Sequence, residues 1–513
     1  MSPIRAEDIH TRDPRPAQRT AGGPDGSDTP EGPDGLRAAA VRDEAGGPGA
    51  RHGSPDRAIV IGASIAGLLA ARVLSERFAE VVLFERDDLP AEAGARKGTP
   101  QALHPHGLLA RGREVMEQLF PGFTEALLQR GALTGDIGAD SCICADRRRL
   151  ASRPAGIRGV TASRLAIEGE LRRRMRQRPG VRFVTGVDVV APVHDAGRVT
   201  GVRTRSLAAA QGSGADAALQ VWPAALVVDC SGRGSRLPAW LREWGYDAAP
   251  EERVRVDIAY TSAYFERDAL ERPASAAVIG VATADHPQPS ILLAQEPDGE
   301  GRARWVAGLG GYGGDHVGAS REAMLQRALA TGQSEIAALC AGAPMIGEPM
   351  RYAFPHSQWR HYERLARFPE GLLALGDSIA SFNPVYGQGM SAAAGQALAL
   401  QQALAGGTAG LARRYFRAAA RVVATPWQLA VGGDLAIPQV QGERTRATRF
   451  VNGYLKRVRA AAEHDAVVSA AFRRVVHLLS APPSLFAPGV VWRVLRHRPP
   501  RAADERKALV AAQ

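Results

Sequence analysis

Ala58-Ile59-Val60-Ile61-Gly62-Ala63-Ser64-Ile65-Ala66-Gly67 is the stretch on which the fold turns: a short apolar run, a glycine turn, and the start of a helix that reads to about Phe78. Residues 81–84 then give a second apolar strand. Strand, helix and strand in this order open a dinucleotide-binding α/β fold. Gly62 permits the tight turn, and Gly67 lets helix and strand pack closely. The helix N-terminus presents free N–H groups and a partial positive charge to a pyrophosphate. Ser64 stands where the G-x-G-x-x-G pattern has its middle glycine, and it is small enough for close backbone approach. Glu85, followed by Arg86, ends the second strand about 20 residues on and supplies the carboxylate expected to bond ribose hydroxyls. An acidic group there argues against a 2′-phosphate, hence against NADP in this pocket.

Two further motifs lie downstream in the chain. Residues 225–228 form another buried run, ending in Asp229-Cys230-Ser231-Gly232-Arg233-Gly234-Ser235. Small residues after a buried strand, with Asp229 and Gly232 among them, predict a second close approach of backbone to ligand. Before it, Ser163-Arg164-Leu165 with Glu170, Leu171 and Arg172 reads as a helix carrying Arg164 toward the nucleotide. The third motif is the most specific. Leu372-Leu373-Ala374-Leu375-Gly376-Asp377 is a strand ending in Gly-Asp, leading through Phe382-Asn383-Pro384 to Gly387-Gln388-Gly389-Met390 and an Ala-rich helix. Asp377 can accept hydrogen bonds from the ribityl hydroxyls of a flavin dinucleotide. Pro384 fixes the approach, and Gly387 and Gly389 remove side chains that would collide with its ring. The helix beginning near Gly389 points its positive end at the pyrimidine side, where a reduced flavin carries negative charge.

With Arg96-Lys97-Gly98-Thr99-Pro100-Gln101, His104 and His106, and with Tyr362-Glu363-Arg364-Leu365 running on to Met390, these motifs resemble those of the flavoprotein monooxygenases related to aromatic hydroxylases and squalene epoxidase. The likeness is strongest to bacterial epoxidases acting on polyketide polyenes in polyether biosynthesis. It covers most of residues 57–405 and continues more loosely beyond. The resemblance implies FAD, O2 as co-substrate, and transfer of one oxygen atom from a flavin hydroperoxide to a lipophilic small molecule in secondary metabolism. On that mechanism the flavin does the hard chemistry, so no protein nucleophile or metal is required. The likeness also implies that His104 and His106 lie near the flavin edge, as proton-handling or flavin-orienting groups or as structural histidines. Arg96 and Lys97 either attract the ring's negative charge or are solvated. No second glycine-rich motif is evident for a nicotinamide cofactor. Reducing equivalents are therefore expected from NADH or NADPH docking transiently, or from a separate flavin reductase. Three rivals share the motifs: a prenyl-chain reductase, a flavin-dependent halogenase and a non-catalytic flavin-binding protein. Tyr352-Ala353-Phe354-Pro355 is faintly similar to the first, but His356 stands where those enzymes tend to have lysine. The second lacks support, since no Trp-x-Trp-x-Ile-Pro run is present.

The expected architecture is a Rossmann-like FAD-binding domain over 56–405, a substrate domain inserted at about 245–350, and a helical region over 406–513. Alternation at Val254, Val256, Ile258 and Tyr260, with strand-like runs at 291–294 and 304–309, predicts an antiparallel sheet. Its Tyr260, Tyr264, Phe265 and Trp305 are candidates for an apolar substrate wall. In the helical region Phe472, Val475, Val476 and Leu479 repeat at helical spacing, with Arg473 and Arg474 elsewhere on the turn. This is either a cap on the flavin domain or a basic amphipathic helix touching membrane or framing an entrance. Residues 1–55, rich in Gly, Pro, Asp and Arg, are expected to be disordered. The net charge of +11 is spread along the chain and lysine occurs only at Lys97, Lys456 and Lys507, so nucleic acid is not an expected partner. Cys142, Cys144, Cys230 and Cys340 lack metal-site spacing and read as buried free thiols. With no secretory pattern and no membrane-spanning run, the expectation is a cytoplasmic protein.

Overall fold

The computed structural model describes residues 56–208, 219–268 and 273–497; the N-terminal segment expected to be disordered lies outside them. Five parallel strands lie in the order Leu372–Ala374, Leu226–Asp229, Arg57–Ile61, Glu80–Phe84 and Val181–Val184. The central three are apolar along nearly their whole length because both faces of a parallel sheet are covered. Helices Ile65–Leu74, Arg164–Arg176 and Gly389–Leu404 supply part of that cover. The rest comes from a three-stranded antiparallel sheet, Val187–Asp195, Arg198–Ser206 and Gln220–Pro223, which packs in through Val189, Val199, Val202 and Trp222. The sequence reading did not anticipate this small sheet. Its strands bury one face and expose a charged one, so each apolar run is short.

The predicted antiparallel sheet is present and has eight strands. Their order is Ala380–Ser381, Met345–Arg360, Glu251–Glu266, Arg304–Tyr312, Ser290–Gln295, Ala277–Val281, Ser141–Ala145 and Arg148–Arg149. It therefore draws on residues 141–149, upstream of the expected 245–350 span, and Met345–Arg360 runs past its end. The strand Ser141–Ala145 pairs in parallel with Ala277–Val281, a long-range contact that local periodicity does not reveal. Strand alternation also divides the proposed aromatic wall. Phe265 pairs with Trp305, and both pack into the core beneath helices Arg321–Thr331 and Ser334–Gly342. Tyr260 and Tyr264 leave the opposite face.

Among the described residues, four helices, Leu411–Asp434, Arg446–Ala462, Ala466–Val476 and Pro488–Arg496, make up the predicted helical region. Phe472 and Val475 are buried as expected, but Arg473 is buried with them. It donates to the Ile137 carbonyl at 3.1 Å and to Ser141 Oγ at 3.2 Å, because this helix is enclosed on both flanks. Exposed apolar side chains occur instead at Phe450, Phe486, Trp492 and Leu495 on its neighbours. Among the described residues, no helix is long and apolar enough to cross a membrane.

Candidate functional site

The three motifs sit at the carboxyl ends of three adjacent parallel strands, where open α/β sheets bind their ligands. Ile61 pairs in register with Asp229, and Asp229 with Ala374. Cys230 N–H donates to the Ile61 carbonyl at 2.9 Å, and Leu375 N–H to the Asp229 carbonyl at 2.9 Å. Gly62 has φ +96°, and a Cβ there would lie 2.7 Å from the Cys230 carbonyl oxygen. A Cβ on Gly376, at φ +74°, would lie 2.7 Å from Ala66 Cβ on the first helix. Gly232 N–H donates to Ser378 Oγ at 3.0 Å, tying the second motif to the third. Backbone from all three turns thus comes together at one end of the sheet.

Most charged side chains at the first two motifs are engaged with one another. Glu85 accepts from the N–H groups of Ala63, Arg86 and Asp87 and pairs with Arg96 at 3.1 Å. Its acceptor capacity is filled, so in this conformation it organises the turn rather than offering a free carboxylate to a ribose. The Arg86 side chain is exposed and pairs with Asp188 at 3.5 Å. Arg96 is not solvated: its buried guanidinium also meets Asp87 at 3.2 Å and Glu168 at 3.0 Å. Three carboxylates hold its pKa above the usual value despite burial. Ser64 does not cap its helix; its hydroxyl donates to Glu168 at 2.7 Å and accepts from Arg164 at 2.9 Å. The first N–H groups of that helix are thereby left without a side-chain cap. Asp229 is fully buried, accepts from Ser231 N–H and from the hydroxyls of Ser231 and Ser235, and is raised by desolvation. It shapes the second turn from within.

At the third motif the pattern reverses. Asp377 is half-buried, and no hydrogen bond to it occurs among the described residues. Burial raises its pKa, while Arg164 and Arg233 draw it back. The helix Gly389–Leu404 begins without a side-chain cap, and Gln388 Oε1 and Ser391 Oγ beside its start are buried with no partner. Arg164 Nε is likewise orphaned. Met390 is buried in the main core, and Pro384 opens a 3-10 turn that ends at Gly387, φ +65°. That turn touches the histidine loop: a Cβ on Gly387 would be 3.4 Å from the Gly107 carbonyl. His106 Nδ1 donates to the His104 carbonyl at 2.8 Å, which leaves Nε2 as the acceptor of a neutral ring. Burial, with Arg164 nearby, lowers His106 to about 3, and burial lowers His104 to about 4. His104 contacts Ser262 Oγ at 3.0 Å and stands edge-on to Tyr260, with ring centroids 5.1 Å apart. The histidine loop therefore joins the third motif to the inner face of the antiparallel sheet.

Scanned against protein families, the chain matches none. It is 34% identical over 460 residues to Protein Rv3254 of Mycobacterium tuberculosis, an alignment spanning 87% of this chain and 95% of that protein. The chain belongs to the Rv3254 family. Among solved structures, its fold is similar to that of a triple mutant of the flavin-dependent brominase Bmp2, with a TM-score of 0.57 and 14% identity over 86% of this chain and 99% of that one. A flavoprotein/dehydrogenase from Cytophaga hutchinsonii gives 0.57 and 15%, over 85% and 96%. PqsL, a probable FAD-dependent monooxygenase from Pseudomonas aeruginosa, gives 0.52 and 17%, over 74% and 97%. At these identities the likeness establishes the α/β fold with its inserted sheet and helical region.

This member of the Rv3254 family also carries site residues that the motifs did not announce. Arg360 donates to the carbonyls of Ser378 and Arg233, each at 3.0 Å, and clamps the second and third turns together. Asp434, fully buried at the end of its helix, receives Asn383 at 2.7 Å and the hydroxyls of Tyr312 and Tyr386 at 3.1 Å, all on Oδ1. Oδ2 has no partner, and burial raises the carboxyl to about 7. An acidic residue on the buried side of an apolar helix was the available signal. Among the described residues, no cluster of His, Cys, Asp and Glu is placed to hold a metal.

Proposed function

We propose that this protein is an FAD-dependent monooxygenase that transfers one atom of O2 to a lipophilic small molecule, by epoxidation or hydroxylation, in secondary metabolism. The observation carrying this reading is the convergence of Gly62, Gly232 and Asp377 at the ends of three neighbouring strands. The residues fit the cofactor. Uncapped N–H groups at Ile65 suit its pyrophosphate, Gly62 lets the first two turns approach closely, Gly232 faces open space, and the open carboxylate of Asp377 suits ribityl hydroxyls. Arg164, bonded to Ser64 at the first turn, suits the nucleotide's negative charge, and the uncapped start of Gly389–Leu404 would favour an anionic reduced ring. When bound, FAD supplies electron storage and the activation of O2.

The chain's own part is positioning and exclusion. Arg360, Ser378 and Asp434 hold the turns to which the ring would be presented. His106, neutral, offers Nε2 as a hydrogen-bond acceptor near Arg164. Tyr260, Tyr264 and Tyr352, on the sheet face that meets His104, form an apolar wall that excludes water and orients an oily substrate. The resemblance to polyketide epoxidases is the reason for preferring a polyene-like substrate. Electrons are proposed to come from NADH or NADPH docking transiently, or from a flavin reductase. The test is oxidation of NADH and NADPH, with and without a free flavin reductase, monitored together with O2 uptake. The reading predicts that reduced protein consumes O2; reduced protein inert toward O2 removes it and favours a reductase.

A further inference from the structure

Cys142 and Cys144 lie two residues apart on the strand Ser141–Ala145, so their side chains leave the same face, and their Sγ atoms are 3.6 Å apart. Cys142 is buried and Cys144 half-buried. Cys144 borders a small cavity of about 30 Å³ that Asp146, Arg147, His286 and Gln288 also line, room for a molecule the size of water. Arg149, paired with Glu335, acts on both thiols, with that carboxylate opposing it, and Arg473 acts on Cys142, anchored there by the Ser141 hydroxyl and the Ile137 carbonyl. The hydrogen bond from Cys144, helped by these cations, pulls the Cys142 thiol down to about 7, whereas burial pushes those of Cys230 and Cys340 up. Two sulfurs in contact, a cavity bordering Cys144 and guanidinium groups on the flank of Cys142 are the features of a reactive dithiol rather than of inert core cysteine.

We propose that Cys142 and Cys144 form a peroxide-sensitive dithiol site that closes to a disulfide and reopens on reduction. In the first step the Cys142 thiolate attacks one oxygen of hydrogen peroxide. The S–O bond forms, the O–O bond breaks, and the departing hydroxide takes a proton to become water. In the second step Cys144 Sγ displaces the sulfenic hydroxyl. The S–S bond forms, the S–O bond breaks, and the hydroxyl leaves as a second water with the Cys144 proton. Two thiols are oxidised by two electrons in all, and one peroxide is reduced to two waters. Two steps of strand rise separate the Cα atoms by about 6.6 Å, near the upper end of what a disulfide spans. A bond closed near this limit is strained, and a strained disulfide is readily reduced, which makes the site reversible. The proposal stands independently of the flavin reading.

The test treats the full chain with a few equivalents of hydrogen peroxide, then denatures it, alkylates with N-ethylmaleimide and maps the tags by mass spectrometry. Untreated protein is expected to carry tags on all four cysteines. After peroxide, only Cys230 and Cys340 should be tagged, and the peptide holding Cys142 and Cys144 should be lighter by two hydrogens until dithiothreitol restores it. In Cys144→Ser, dimedone should trap a sulfenic acid at Cys142; in Cys142→Ser it should trap none at Cys144. Tags persisting at both positions after peroxide, irreversible oxidation there without a disulfide, or prior oxidation of Cys230 overturns the proposal.

Discussion

Asp434→Asn should remove a pH dependence of stability that the unmutated protein carries. Burial raises the Asp434 carboxyl from 3.8 to about 7, against the pull of hydrogen bonds from Asn383, Tyr386 and Tyr312. Because the folded value lies above the unfolded one, the native state keeps the proton between them, and stability falls as pH rises from about 4 through about 7. Over the whole window the loss is about 4 kcal/mol, and between pH 5 and pH 8 it is roughly 2–3 kcal/mol. Tyr312 and Tyr386, the titratable groups bonded to it, are both pushed up by burial and stay neutral across this range. Asparagine keeps a carbonyl oxygen for the three donors and cannot ionise, so any fixed packing cost is the same at both pH values. Urea unfolding of the two proteins, followed by tryptophan fluorescence at pH 5 and pH 8, measures the difference. The variant should gain roughly 2–3 kcal/mol on the parent between the two conditions. A stability difference that does not change with pH refutes the reasoning.

Arg96→Met should destabilise the fold by about 3–5 kcal/mol, because it removes the cation shared by Asp87 and the buried carboxylates of Glu85 and Glu168; an unchanged melting temperature contradicts this. Gly62→Val places a side chain at φ +96° against the Cys230 carbonyl, which should cost about 1–3 kcal/mol in urea unfolding and weaken FAD retention. Parent-like stability would show that the turn tolerates a Cβ. His106, at about 3, should remain neutral from pH 5 to pH 9. Nitrogen NMR of labelled histidine should find its ring signals flat over that range, and a midpoint between pH 5 and pH 8 would place the ring in a more polar setting.

How far the sequence was legible depends on how local each signal is. The first turn, the Asp229–Ser235 segment and the Gly376–Met390 run each combine a buried strand with glycines at fixed spacing, and the structure places all three at adjacent strand ends. The long strand Glu251–Glu266 was legible from its alternation. Which of its aromatics faces the site was not, because the bulge between Arg255 and Ile258 and the pairing partners set the register. The roles of Glu85, Arg96 and Asp229 were hidden for a related reason. A motif fixes where a charge sits in the chain, while its partners come from elsewhere: Glu168 is 72 residues from Arg96. The burial of Arg473 was not legible because helical spacing describes one helix and not what encloses it.

The central claim is that one flavin dinucleotide binds where the three turns come together. The most direct measurement is to purify the full chain, supply FAD, remove unbound ligand, and quantify flavin released on denaturation alongside a titration of Asp377→Ala. The account predicts close to one FAD per chain for the parent and a roughly ten-fold or greater weakening for the variant, the scale of one lost charge-assisted hydrogen bond. A protein that stays colourless after reconstitution with FAD contradicts the account, and so does a variant that binds as tightly as the parent.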